Sequence, residues 1–202
     1  QFETWLLPRL EDQKPGHWFD NLAISVVAQF CEKAGVALCF GAEASPGQLK
    51  ENQLAAATGE AFERLTSSVE GFQLLLCDIW KNCPSSRGGY YSSFGNLWRW
   101  LLTVQSDQRY EPLVSEVAEF VFEHQPIPAG TFLLGKECKA RRCHSVNSAA
   151  ATFGLNTSRT VRLLKKMTEK GRILSVDEVE PLLATLASHL PRMKAAMRLG
   201  VT

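Results

Sequence analysis

A chain of 202 residues, 45% of them hydrophobic, has room for one domain or two small ones and enough apolar material to bury a core, which excludes the disordered and fibrous classes. A net charge of +1 excludes a molecule that meets polyanion over its whole surface. No run approaches the ~18 apolar residues that span a bilayer, and QFETWLLPRL sets Glu3 and Arg9 around too short an apolar patch for a secretory signal. A cytoplasmic protein with no membrane partner is expected. The chain begins with Gln1 rather than methionine, as a processed or excised fragment would.

In DNLAISVVAQFCEKAG, Leu22, Val26, Val27, Phe30 and Cys31 lie on one face of a helix, with Asp20 or Asn21 to cap it and Gly35 to stop it. GVALCF, residues 35–40, is an apolar run short enough for a strand, but nothing around it alternates with period two to give it a partner. A polar loop, GAEASPGQLKEN, follows. Two helical patterns come next, around Leu54 to Leu65 and Val69 to Trp80, broken at Thr66-Ser67-Ser68, where hydroxyls can cap a helix start. After a Pro/Ser/Gly loop, FGNLWRWLLTV places Phe94, Leu97, Trp98, Leu101 and Leu102 on one face. YEPLVSEVAEFVFEH repeats the rhythm with Leu113, Val117 and Phe120 or Val121, its acidic residues falling on the other side.

The charge is segregated. Residues 136–172 hold ten of the 22 basic residues and two of the 21 acidic ones, a segment of +8, which leaves 12 against 19, or −7, on the remainder. Such a split is expected when one part meets polyanion and the other meets protein or solvent. Within the basic segment, HSVNSAAATFGLNTSRTVRLLKKM has the grammar of a helix-turn-helix. His144-Ser145 offers a cap, Val146, Ala149, Ala150 and Phe153 form one face, Gly154 supplies a positive φ, Leu155 tucks inward and Asn156 caps a second helix. In that second helix Leu163, Leu164 and Met167, with Val161 or the methyl of Thr160, can face the core. Thr157, Ser158, Arg159, Arg162, Lys165 and Lys166 then point outward, with short polar groups and an arginine where base edges are met. Upstream, Lys136, Lys139, Arg141 and Arg142 lead in as a flexible arm suited to phosphates. Thr160, six residues after Gly154, stands where a β-branched apolar residue is usual.

MKAAMRLGVT repeats the first helix and turn. With Gly200 over Gly154, Ala195-Ala196 falls over Ala149-Ala150, Val201 over Leu155 and Thr202 over Asn156, so the chain is expected to stop inside a second helix-turn-helix.

The six cysteines are spaced too widely for zinc knuckles, and Cys143-His144 joins a metal site only with distant help. Free thiols, no metal and no cofactor are therefore expected. An enzyme would need a low-pKa thiol beside an oriented base, for instance Cys143 or Cys77 with His124, and no local signature supplies either. No carboxylate cluster suggests a metal-dependent recombinase.

The order DNLAISVVAQFCEKAGVALCFG, then SSFGNLWRWL, then PIPAGTFLLGKECKARRCHSVNSAAATFGLNTSRTVRLLKKM resembles the TniQ family of transposon-encoded proteins that help select insertion targets, from about Asp20 to the C-terminus. The resemblance is best from Gly130 to Met167. It implies a non-enzymatic bacterial adaptor that binds double-stranded DNA and recruits transposition proteins such as an AAA+ ATPase regulator. Carried over by position, His144, Ser145 and Thr157 to Lys166 would form the DNA-reading unit, and the acidic helices before Gln125 a docking body. Family members commonly carry an N-terminal segment and a Cys-rich zinc knuckle ahead of this region, which this sequence lacks.

The expectation is thus an all-α chain with a helical docking body over 1–125, a basic arm and helix-turn-helix over 126–174, and a linker helix with a truncated second motif over 175–202. The DNA-contacting residues would be Lys139, Arg141, Arg142, His144, Ser145, Thr157, Ser158, Arg159, Arg162, Lys165 and Lys166. A helix-turn-helix transcription regulator is the alternative that keeps the same contacts, and binding of an acidic protein partner is the alternative without DNA.

Overall fold

The computed structural model describes residues 22–68, 70–83, 89–164 and 174–188. It is all-α: eight α-helices and two very short two-stranded sheets among the described residues. The chain divides into two compact units, one comprising residues up to Phe120 with Phe132–Lys136, the other Val121–Thr131 and the chain from Glu137 onward.

In the first unit, helix α1 (Ile24–Phe40) packs chiefly on α2 (Glu51–Ser67) and also touches α3 (Gly71–Lys81) and α4 (Tyr90–Val104). The face of α1 expected from the sequence is buried: Val26, Val27, Phe30 and Cys31 are all at most 6% exposed. Its ends differ from expectation. The helix starts after Ala23 with no side-chain cap and runs through Gly35 to Phe40, so GVALCF is helical. A Cβ at Gly35 would lie 2.1 Å from the carbonyl oxygen of Ala57, so the glycine is where α2 approaches closely, and Val36, Ala37 and Leu38 continue the buried face. That burial outweighs the roughly 1 kcal/mol a mid-helix glycine costs.

The break between α2 and α3 falls where Thr66-Ser67-Ser68 placed it, but Thr66 and Ser67 do not cap α3. Their hydroxyls donate backward to the carbonyls of Phe62 and Arg64, at 2.9 and 2.8 Å, and finish α2. An ion pair from Arg64 to Asp78 ties α2 to α3. Helix α4 is kinked at Gly95, where Asn96 N–H donates to the carbonyl of Ala42 at 2.7 Å. Phe94, Leu97, Trp98 and Leu101 are buried as the spacing requires, whereas Leu102 is turned to the edge. From α5 (Glu111–His124), Phe120 meets Phe94 and Trp80 edge-on at 6.0 and 6.2 Å, the T-shaped geometry that ring quadrupoles favour.

The strands were not foreseen. β1 (Phe132–Leu133) pairs with β2 (Lys136–Glu137) across a turn in which Leu134 and Gly135 both have positive φ, +50° and +81°. β3 (Cys143–His144) pairs antiparallel with β4 (Leu174–Ser175), Cys143 opposite Ser175 and His144 opposite Leu174. Two residues per strand leave no alternating pattern to read. Between β3 and β4 lie α6 (Val146–Thr152) and α7 (Thr157–Leu164), and α8 (Val176–Ser188) follows β4. Ala149, Leu164, Leu174, Val179 and Leu183 form the core of this unit, with Val146, Phe153, Leu155 and Leu186 packed against it. The helix expected as a linker therefore supplies two of the five core residues. The proposed second repeat, MKAAMRLGVT, lies outside the described residues.

Candidate nucleic-acid interface

Two short helices, α6 and α7, are joined by residues 153–156. Ser145 caps α6: its Oγ accepts the Ser148 N–H at 3.1 Å, while Ser148 Oγ accepts the Ser145 N–H at 2.9 Å. Ala149 and Ala150 are fully buried, and their small side chains let α6 approach α7 and α8. Gly154 takes φ +61°, so the chain reverses without the penalty a side chain would bring. Asn156 begins α7, its Oδ1 accepting the Arg159 N–H at 3.2 Å.

The orientation of α7 is fixed by Thr160 and Leu164, four residues apart and 0% and 2% exposed. Thr160 can stand inside because its hydroxyl donates to the Asn156 carbonyl at 3.1 Å, which satisfies the only polar group it buries. Leu163, expected in the core, is instead 44% exposed, and of the two alternatives Val161 and Thr160 it is Thr160 that faces inward, with Val161 45% exposed. At about 100° per residue, a seam through 160 and 164 puts 161 and 163 on the two flanks, so they cannot share it. Thr157, Ser158, Arg159 and Arg162 are exposed, as the sequence reading requires of an outward face. Lys165 and Lys166 lie outside the described residues.

The upstream basic residues are not a free arm. Lys136 lies in β2, its Nζ 3.0 Å from Glu119 Oε1 and 2.7 Å from Ser115 Oγ. Arg142 pairs with Glu123 at 2.9 Å, and its carbonyl accepts the Val176 N–H at the end of the β3–β4 ladder. Arg141 is half-buried, with one guanidinium nitrogen enclosed and without an acceptor. Lys139 is exposed and, like Arg159 and Arg162, makes no ion pair among the described residues. The outward cations thus reduce to Lys139, Arg159 and Arg162 within the described residues, because local acids occupy Lys136 and Arg142.

His144 is a correction. Its side chain has no exposed surface, so it is not available to a phosphate or a base edge. Nε2 donates to Glu180 Oε1 at 3.0 Å and Nδ1 lies 3.2 Å from Ser148 Oγ, so the ring ties β3 to α6 and α8. Ser145 likewise commits its hydroxyl to the α6 cap. Sequence reasoning missed the partner because Glu180 is 36 positions away, and only the β3–β4 pairing brings α8 to His144.

Burial decides the thiol chemistry. Cys143 is 3% exposed, and burial pushes its thiol up to about 11 although Arg141 pulls the other way. Cys31 is pushed up to about 12 by burial, and Cys77 is raised chiefly by the same cause. These thiols stay protonated at neutral pH, the opposite of an activated nucleophile. All six cysteines are free, and no group of three His, Cys, Asp or Glu side chains is placed to hold a metal among the described residues.

Two grooves accompany these features, one in each unit. The first-unit groove, about 560 Å³, is bordered by Cys39, Phe40, Asn52, Glu60 and Arg64. The second-unit groove, about 380 Å³, is lined by Phe153, Pro181 and the acids Asp177 and Glu180, the wrong sign for a phosphate. No helix among the described residues is long and apolar enough to cross a membrane. No family model, no curated protein and no solved structure matches this chain.

Proposed function

We propose that the second unit is a helix-turn-helix DNA-binding module and that the chain is a non-enzymatic adaptor of the TniQ kind, selecting target DNA and recruiting transposition proteins such as an AAA+ ATPase regulator. The observation that carries the reading is the outward face of α7. Thr157, Ser158, Arg159 and Arg162 are exposed over a seam formed by Thr160 and Leu164, on a helix rooted in its own small core. Short polar groups and forked guanidiniums are the side chains that read major-groove edges and grip phosphates. Along the sequence, residues 136–172 carry a charge of +8 within a chain of +1, a segregation that favours a polyanionic partner for this stretch. The sequence resemblance supplies the purpose, and an excess of 15 acidic over 10 basic residues suits the first unit to a basic protein partner.

Duplex DNA binding measured against salt tests the reading. With Lys136 and Arg142 engaged by acids, about four phosphate contacts are expected, so log K should fall against log salt with a slope of roughly −3 to −4. A slope near zero would remove DNA from the account. Footprints on transposon target-site DNA against promoter DNA then separate an adaptor from a transcription regulator.

A further inference from the structure

The groove of the first unit opens where α1 ends. Leu38, Cys39 and Phe40, the last three residues of that 17-residue helix, line it, and a helix carries partial negative charge at this end. A basic residue in the last turn is the usual complement, and α1 has none. The Leu38 carbonyl accepts the neutral side-chain amide of Asn82 instead, at 3.4 Å. Glu60 and Arg64 stand on the α2 wall, and their charges do not simply cancel. Arg64 is shared between two carboxylates, Glu60 at 2.8 Å and Asp78 on α3, so the three together are negative by one charge. Glu60 holds Arg64 through Oε1, and its Oε2 makes no hydrogen bond among the described residues. The Cys39 thiol registers the same sign. It is held above its ordinary value by partial desolvation first and then by Glu60, whose effect exceeds the opposing pull of Arg64. The Phe40 ring, 42% exposed, offers a face on which a cation and its methylene stem can lie.

We infer that this groove receives a basic segment of a protein partner, an arginine lying over Phe40 with its guanidinium between the end of α1 and the Glu60 carboxylate. This rests on the reading of the first unit as the docking part and names the surface and the side chain that it uses. Arginine suits the place better than lysine, because a planar fork can stack on a ring and donate to a carboxylate at once. The excess of 15 acidic over 10 basic residues in the unit draws such a segment in.

The 202-residue chain is panned against a random peptide library, and each enriched peptide is tested for its power to shield Cys39 from N-ethylmaleimide, read by peptide mapping. Enriched peptides are expected to carry arginine and to slow Cys39 modification. Replacing that arginine by citrulline, which keeps the shape and removes the charge, should weaken binding roughly five- to tenfold, the factor that one charge-assisted hydrogen bond represents. Glu60→Gln, in which Arg64 keeps Asp78, should lose the same factor, and Phe40→Ser should weaken the same peptides. Arginine peptides that bind without shielding Cys39 overturn the groove and leave a basic partner for the first unit standing. Shielding that survives both citrulline and Glu60→Gln overturns the recognition of charge. Self-association of the chain that Glu60→Gln abolishes makes a second copy the occupant and overturns a separate partner. Enrichment of no basic peptide overturns the groove and the basic-partner reading together.

Discussion

At the scale of single residues, the same side-chain types do opposite work according to burial. His144 and Arg159 both stand in a basic stretch, yet one is enclosed and bonded at both ring nitrogens and the other is exposed with no ion pair among the described residues. His144→Ala should lower stability by about 1–3 kcal/mol, since Glu180 and Ser148 lose a partner, while the salt dependence of DNA binding stays as before. Arg159→Ala should leave the unfolding midpoint in place and relax sequence preference at a cost of about 1–3 kcal/mol, and Lys139→Ala should weaken all sequences alike. Competition binding on enriched and scrambled duplexes distinguishes the two. The thiols give a pH prediction with a definite sign. Cys31 and Cys143 hold their protons more tightly folded than unfolded, so their contribution is fully present below about pH 9 and is lost as pH rises toward about 11 to 12. Thermal unfolding followed from about pH 8 to 11 should therefore decline less steeply in Cys31→Ala than in the unsubstituted chain. In the native state a thiol reagent should modify exposed Cys39 first and reach Cys31 and Cys143 only on unfolding.

At the scale of elements, two glycines mark places where backbone geometry is decided by neighbours. Gly35→Ala inserts a methyl 2.1 Å from the Ala57 carbonyl oxygen, so α1 and α2 must separate, and a loss of about 1–3 kcal/mol should appear in denaturant unfolding. Gly154→Ala meets no neighbour within 4 Å but must take φ +61°, so only the left-handed backbone penalty of about 1–2 kcal/mol is expected. The two substitutions separate steric overlap from backbone strain. They also explain why the sequence reading succeeded at Gly154 and failed at Gly35. A turn glycine announces itself by its polar surroundings and the capping Asn156, whereas a close-packing glycine looks the same as a helix stop until the second helix is in place.

At the scale of the whole molecule, charge segregation is the property that survives every local correction. The +8 segment includes residues that local acids pair, and among its described residues Arg159 and Arg162 stand exposed on α7 and Lys139 stands exposed ahead of β3. Doubling the salt concentration in a binding assay should therefore weaken DNA retention about tenfold, as a slope between −3 and −4 requires. Neutralising Lys139, Arg159 and Arg162 together should remove most of that dependence. If Lys136 and Arg142 were free, their replacement would reduce it as well, whereas the pairs to Glu119 and Glu123 predict a smaller effect on DNA than on stability.

The sequence by itself determined the helical class, the buried faces of α1, α4 and α5, the turn at Gly154 and the exposure of Thr157, Ser158, Arg159 and Arg162. Each follows from spacing of three and four or from local turn chemistry, which act over a few residues. What only the tertiary structure decided needs a distant partner: the continuation of α1 through Gly35 against Ala57, the pairing of β3 with β4, the enclosure of His144 by Glu180, and the engagement of Lys136 and Arg142 by Glu119 and Glu123. The choice of Thr160 over Val161 for the inward face belongs with these. A helical pattern fixes the angle between neighbours but not its origin, and the origin is set by which seam meets the rest of the core.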